Sequence, residues 1–198
     1  MPRSRTIKTL AALLVAMTAG TFLLLALETM PAKPGQADTL AARLGPSGAD
    51  VSRTITDTSI PIRADKWQYI VIHDSAGEAA GHVGDTCHFV IENGQGSTED
   101  GRLVATENWR RQEDGTHVLR DGYRTHSIGI CLVGNLDSHR PTPLQMERLI
   151  ALVRALQAKH RISAEHVYRD DDLTGSGSPG LQFPDGALRN NLLVFNLP

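Results

Sequence analysis

The stretch Ser127-Ile128-Gly129-Ile130-Cys131-Leu132-Val133 constrains the fold more than any other, because its apolar residues do not alternate. A strand with one wet face places polar residues at every second position, so a strand apolar on both faces has to be covered on both. It belongs in the middle of a sheet, and Gly134-Asn135 ends it. Shorter β-branched runs flank it in sequence. Tyr69-Ile70-Val71-Ile72 and His88-Phe89-Val90-Ile91 read as buried strands, and the second leads into the turn-rich Asn93-Gly94-Gln95-Gly96-Ser97. Gly101 to Thr106 follows an Asp100-Gly101 turn, and Val167-Tyr168 is a last short strand. The covering layer is equally legible. Thr142-Pro143-Leu144-Gln145 is a capping box with proline at the first helical position, and Met146, Leu149, Ile150, Val153 and Leu156 then recur at helical spacing as far as His160. The expected fold is α/β (α+β), a single domain with a central mixed β-sheet flanked by helices.

The N-terminus carries a different signal. Arg3, Arg5 and Lys8 precede an uncharged, mostly apolar run from Thr9 to Leu27 that Glu28 ends. As a helix this run would be roughly 28 Å long, about the hydrocarbon thickness of a bilayer. Residues 1–28 are therefore expected to be a signal anchor that keeps its basic flank cytoplasmic and places the rest on the extracytoplasmic (periplasmic) side. The alternative is a signal peptide cut among the small residues Ala16 to Gly20, which would leave a secreted domain. Residues 29–60 read as linker, with two prolines in Met30 to Gln36, a short helix over Ala37–Leu44 and an extended stretch over Thr54–Pro61. Residues 61–198 form the domain, and its tail from Leu173 is expected to be irregular. A net charge of -2 without any Lys/Arg cluster excludes nucleic acid as the expected partner. Cys87 and Cys131 permit one disulfide in an oxidising compartment, or two buried thiols.

Motifs in a fixed order carry the functional reading. They are Trp67-Gln68-Tyr69-Ile70-Val71-Ile72-His73-Asp74-Ser75-Ala76; His88-Phe89-Val90-Ile91 with Asn93-Gly94; and His126 to Asn135 followed by Pro141-Thr142 and Gln145. Val167 to Pro184, with Ser178-Pro179-Gly180 and Phe183-Pro184, closes the series. Together, over about residues 61–184, they resemble the zinc N-acetylmuramoyl-L-alanine amidases and peptidoglycan recognition proteins. That resemblance implies a zinc ion with three protein ligands and an open position for water, which attacks the amide joining N-acetylmuramic acid to L-alanine. It implies peptidoglycan or muropeptides as partners.

Mapped residue by residue, the resemblance puts His73 at the first ligand position. Asp170 stands where the second ligand histidine belongs, and Ser178 where the ligand cysteine belongs eight residues on. Cys87 replaces a tyrosine that helps to stabilise the oxyanion, and His117 matches a groove-lining position. A seryl hydroxyl stays protonated near neutral pH and ligates zinc poorly, so His/Asp/Ser makes a weaker and harder site than His/His/Cys. A rebuilt trio of His73, Cys87 and Asp170 is the remaining route to a metal. His88 and His126 are expected to form structural hydrogen bonds, and His82, His139, His160 and His166 to lie at the surface. The acidic run Asp170-Asp171-Asp172 lacks the alternating spacing of a calcium loop and reads as a solvated turn with Asp170 inward. The sequence thus predicts a peptidoglycan-binding domain without ordinary zinc catalysis, with an amidase acting through a remodelled metal site as the alternative.

Overall fold

A computed structural model of the protein describes residues 48–63, 65–77, 85–118 and 120–195. Among them five strands form one sheet: β1 (Tyr69–Asp74), β2 (Phe89–Asn93), β3 (Asp100–Ala105), β4 (Ser127–Leu132) and β5 (Val167–Arg169). Their spatial order is β3-β2-β4-β1-β5. The strand expected to be central is central, and all six of its residues are buried. It pairs in parallel with β1 and β2, β5 runs parallel to β1, and β3 alone is antiparallel, against β2. The mixed α/β sheet expected from sequence is therefore what forms.

The helices are α1 (Gly48–Thr56), α2 (Glu107–Arg110), α3 (Pro143–His160), α4 (Asp170–Thr174) and α5 (Asp185–Arg189). The capping box of α3 is made on both sides: Gln145 N donates to Thr142 Oγ1 at 3.0 Å, and Thr142 N donates to Gln145 Oε1 at 3.0 Å. Two donors that the first helical turn would otherwise leave open are thereby satisfied. The same Gln145, 1% exposed, donates its Nε2 to Ile91 O at 3.1 Å and Val133 O at 3.0 Å, tying α3 to β2 and to the end of β4. Leu149, Leu152, Val153 and Leu156 then pack on Ile70, Ile72, Phe89, Ile91, Ile128, Ile130 and Leu132 from one face of the sheet. Each such side chain contributes about 1.5–3 kcal/mol when fully buried.

Period-two alternation sends the intervening residues to the opposite face. That face carries Tyr69, Val71 and His73 from β1, Val90 and Glu92 from β2, and Ser127, Gly129 and Cys131 from β4. The register sets His73 beside Cys131, and Cys131 beside Val90.

Three expectations are corrected. Thr54–Pro61 is not extended throughout: helix α1 runs to Thr56 within the stretch read as linker, with Val51 and Ile55 buried in the core and Trp109 Nε1 donating to Ile55 O at 3.0 Å. Two apolar residues four apart in a polar stretch are too weak a period to register without the partner they pack on. The tail beyond Leu173 is not wholly irregular either, since α5 forms there with Leu188 buried. His160 is not a surface residue, because its ring nitrogens are buried and its ring lies 6.2 Å from that of Trp109. The expected N-terminal anchor and the Ala37–Leu44 helix lie outside the described residues. Within those residues no helix is long and apolar enough to cross a membrane.

Candidate functional site

The site lies on the sheet face opposite α3. His73 is the last residue but one of β1 and is 7% exposed, with its two ring nitrogens facing different partners. Nε2 is 3.2 Å from His117 Nδ1, and Nδ1 is 3.7 Å from Asp170 Oδ2, too long for a hydrogen bond. The ring of His117 lies flat against β4: a Cβ on Gly129 would fall 2.5 Å from it, so glycine at this strand position makes room for the imidazole. The far nitrogen of His117 sits 3.5 Å from Ser127 Oγ. His88 completes a row of three rings, its centroid 5.3 Å from that of His117. Gly129 N donates to His88 Nδ1 at 2.9 Å, which leaves Nε2 protonated and donating to Glu113 O at 3.0 Å. This is the structural hydrogen bonding expected of His88.

Burial pushes all three histidines down to about 3, assisted by repulsion from a neighbouring ring: His88 for His73, His73 for His117, and His117 for His88. They are neutral imidazoles at physiological pH, and His88 has both ring nitrogens committed to backbone partners. Asp170, at the start of α4, is 7% exposed, and burial pushes its carboxyl group up. Its Oδ2 accepts from Ser176 Oγ at 2.6 Å, while its Oδ1 is buried without a partner. Asp170 thus points inward as expected, and Asp172 turns out to Arg169 and Arg189.

Ser178 is engaged by Asp74, the residue after His73. Its hydroxyl donates to Asp74 Oδ1 at 2.9 Å and accepts from Asp74 N at 3.1 Å. The other oxygen of Asp74 accepts from Leu136 N at 3.1 Å. Ser178 N in turn donates to Ser176 Oγ at 3.1 Å, and Asp171 N to Ser178 O at 2.7 Å. The closing segment is therefore clasped to the end of β1 by Ser178 through Asp74, while Ser176 ties the segment to its own Asp170. Sequence reasoning missed Asp74, whose place next to His73 was its only signal.

Zinc of the amidase kind needs three nitrogen, sulfur or carboxylate donors around one point. Among the described residues, no three of His, Cys, Asp and Glu gather in that way. His73 and Asp170 supply two donors, and the hydroxyl at the third position is committed to Asp74. The trio of His73, Cys87 and Asp170 does not assemble. Cys87 is buried, with its Sγ 3.9 Å from Thr86 Oγ1, and Cys131 is buried too; the two are not joined in a disulfide. The residues present do not fit a three-ligand zinc.

Residues 63–180, more than half of the chain, match the family model described as N-acetylmuramoyl-L-alanine amidase. The chain belongs to this family. Among solved structures, the N-acetylmuramoyl-L-alanine amidase LysC from Clostridium intestinale is 25% identical, with a TM-score of 0.54 over 70% of this chain and 93% of that one. AmpDh3 from Pseudomonas aeruginosa, solved in complex with an anhydromuramic pentapeptide, shares the fold at 18% identity and a TM-score of 0.54, covering 67% of this chain and 64% of that one. AmpD shares it at 18% identity and a TM-score of 0.52 over 66% of this chain and 87% of that one. No curated protein sequence matches the chain. Membership of the family makes this domain peptidoglycan-related.

Proposed function

We propose that this amidase-family domain binds peptidoglycan or muropeptides on the His73 face without the family's zinc-dependent cleavage of the muramoyl-L-alanine amide. The observation that carries the reading is the double commitment of Ser178 to Asp74, which engages the hydroxyl at the third ligand position in both a donated and an accepted hydrogen bond. With Asp170 in the second position, a family site of His/His/Cys type becomes His/Asp with a seryl clasp. The scaffold that presents a ligand is retained, from the buried central strand to the half-buried His117 beside His73. The basic residues before Thr9–Leu27 support a further part of the proposal, that the domain is held at the outer face of a membrane.

A second reading rests on a different observation. Asp170 lies beside His73 through Oδ2, and its other oxygen, Oδ1, is buried without a partner, as an oxygen awaiting a cation would be. The residues would then hold zinc weakly and keep amidase activity. Metal analysis of the purified chain, a muropeptide cleavage assay on wild type and His73→Ala, and co-sedimentation with purified sacculi separate the two. The expected result is sedimentation with sacculi, substoichiometric zinc and no cleavage. Stoichiometric zinc with His73-dependent cleavage would establish the amidase, and no sedimentation would remove the binding function.

A further inference from the structure

We propose that the outer edge of β3 docks an extended, acidic segment of a partner protein, which adds a strand to the sheet. Among the described residues β3 is the end strand on its side, with β2 as its neighbour. The pairing decides which of its backbone groups are already used. Ile91 O accepts from Val133 N at 2.9 Å, so Ile91 faces β4 and Val90 before it faces β3, opposite Val104. The β2–β3 register is regular from Leu103 to Ala105, so alternation turns the N–H and C=O groups of these two residues outward. Ahead of them Gly101 O is taken, by Arg148 Nε at 3.1 Å. Among the described residues no turn, cap or side-chain hydrogen bond takes up a backbone group of Leu103 or Ala105.

A cavity of about 590 Å³ opens at this place, lined by the four consecutive residues Arg102 to Ala105. Leu103 and Ala105 belong to the core on the α3 side, so Arg102 and Val104 stand on the opposite face. A cavity over one face would be lined by alternate residues. This one therefore lies along the edge, and the end of α1 walls it. Such an edge is a ready template for another strand, whose backbone supplies the pairing and whose side chains supply the selectivity. Charge identifies the occupant. Arg53, Arg102 and Arg110 surround the cavity against one carboxylate, Asp57, in a chain whose net charge is -2. Asp57 is already bonded to Arg110 at 3.0 Å, whereas the exposed Arg102 enters no ion pair among the described residues. An added strand sends side chains alternately to the two faces, and carboxylates there match guanidinium groups. A second copy would bring the same arginines together, which like-charge repulsion opposes. The chain's own first 47 residues hold only Glu28 and Asp38 against Arg3, Arg5, Lys8, Lys33 and Arg43, so they are not the complement either.

The test uses the full chain and an end-blocked hexapeptide of alternating glutamate and valine, with a second peptide in which lysine replaces every glutamate. Fluorescence anisotropy should show the acidic peptide bound at least about tenfold more tightly than the basic one, as charge-assisted pairing requires. Arg102→Glu, a change on the exposed surface, should weaken the acidic peptide by about the same factor and leave the melting temperature unchanged. Amide hydrogen exchange supplies the backbone readout. With the acidic peptide bound, exchange at Leu103 and Ala105 should slow by at least about tenfold, while Val104, already paired with Val90, changes little. No binding of the acidic peptide at millimolar concentration, equal binding of the two peptides, or full binding by Arg102→Glu overturns the proposal. Binding that leaves exchange at Leu103 and Ala105 unchanged places the peptide elsewhere and overturns it too. So does sedimentation of the chain alone as a dimer in which these two amides are protected, because the occupant is then a second copy. None of these results bears on muropeptide binding at the His73 face, which sacculus sedimentation tests separately.

Discussion

Ser178→Ala tests whether side chains do the structural work that a metal ion would do between β1 and the closing segment. The substitution removes the hydroxyl that donates to Asp74 Oδ1 at 2.9 Å and accepts from Asp74 N at 3.1 Å. A typical hydrogen bond contributes about 1 kcal/mol net, one to a charged group about 1.5–3, and an abandoned backbone donor adds part of its desolvation cost. The site is partly buried, so the low end of each range applies, and the loss should be on the order of 2–3 kcal/mol. For a domain of this size that is a fall in Tm of roughly 5–10 °C. Circular dichroism melts of wild type and variant, each with EDTA and with added zinc, provide the measurement. The wild-type Tm should not respond to either addition, because the clasp contains no ion. A drop below about 2 °C in Ser178→Ala, or a wild-type Tm that falls in EDTA, refutes the reasoning. The converse variant, Asp170→His with Ser178→Cys, puts the family's donor types back at their positions. It should acquire a Tm that rises with zinc and falls with chelator, as binding to the folded state alone requires.

Two further outcomes follow from other contacts. Gln145→Ala strips partners from Ile91 O, Val133 O and Thr142 N at once, and should lower the urea midpoint by the equivalent of about 2–4 kcal/mol at unchanged m, whereas a loss under about 1 would show that the tie is redundant. His73, His88 and His117 sit at about 3 in the folded chain against 6.5 when unfolded, so below 6.5 the unfolded state takes up protons that the folded state refuses. Stability should therefore be full above pH 6.5 and fall as the pH drops towards 3, by up to about 1.4 kcal/mol per pH unit for each ring. Urea unfolding at pH 7 and pH 5, above the range where most carboxyl groups titrate, isolates this contribution, and equal stability at the two values would contradict it.

What the sequence disclosed follows a physical line between local and distant interactions. The centre of the sheet and the start of α3 were legible because each is written in adjacent residues: an apolar run without alternation, and a threonine three residues before a glutamine. His73 was legible because a motif fixes it at the end of a strand. Helix α1 was not, because only Val51 and Ile55 mark its inner face and their worth depends on a core assembled from distant segments.

The eight-residue spacing of Asp170 and Ser178 was read as two ligand positions altered in place. In space the two side chains have different partners. Ser178 reaches back 104 residues to Asp74, and Asp170 turns to His73 the same oxygen, Oδ2, that accepts from Ser176. Spacing along the chain is preserved because the turn between them is held by its own bonds, Asp171 N to Ser178 O and Gly177 N to Asp171 Oδ1 at 3.1 Å, neither of which needs a metal. A loop built in this way can keep its length and shape while its side chains change chemistry. Conserved spacing in such a segment is therefore evidence for the scaffold and says little about the ion. The chemistry has to be read from where each hydroxyl and carboxylate finds its partner, and here both serines find carboxylates.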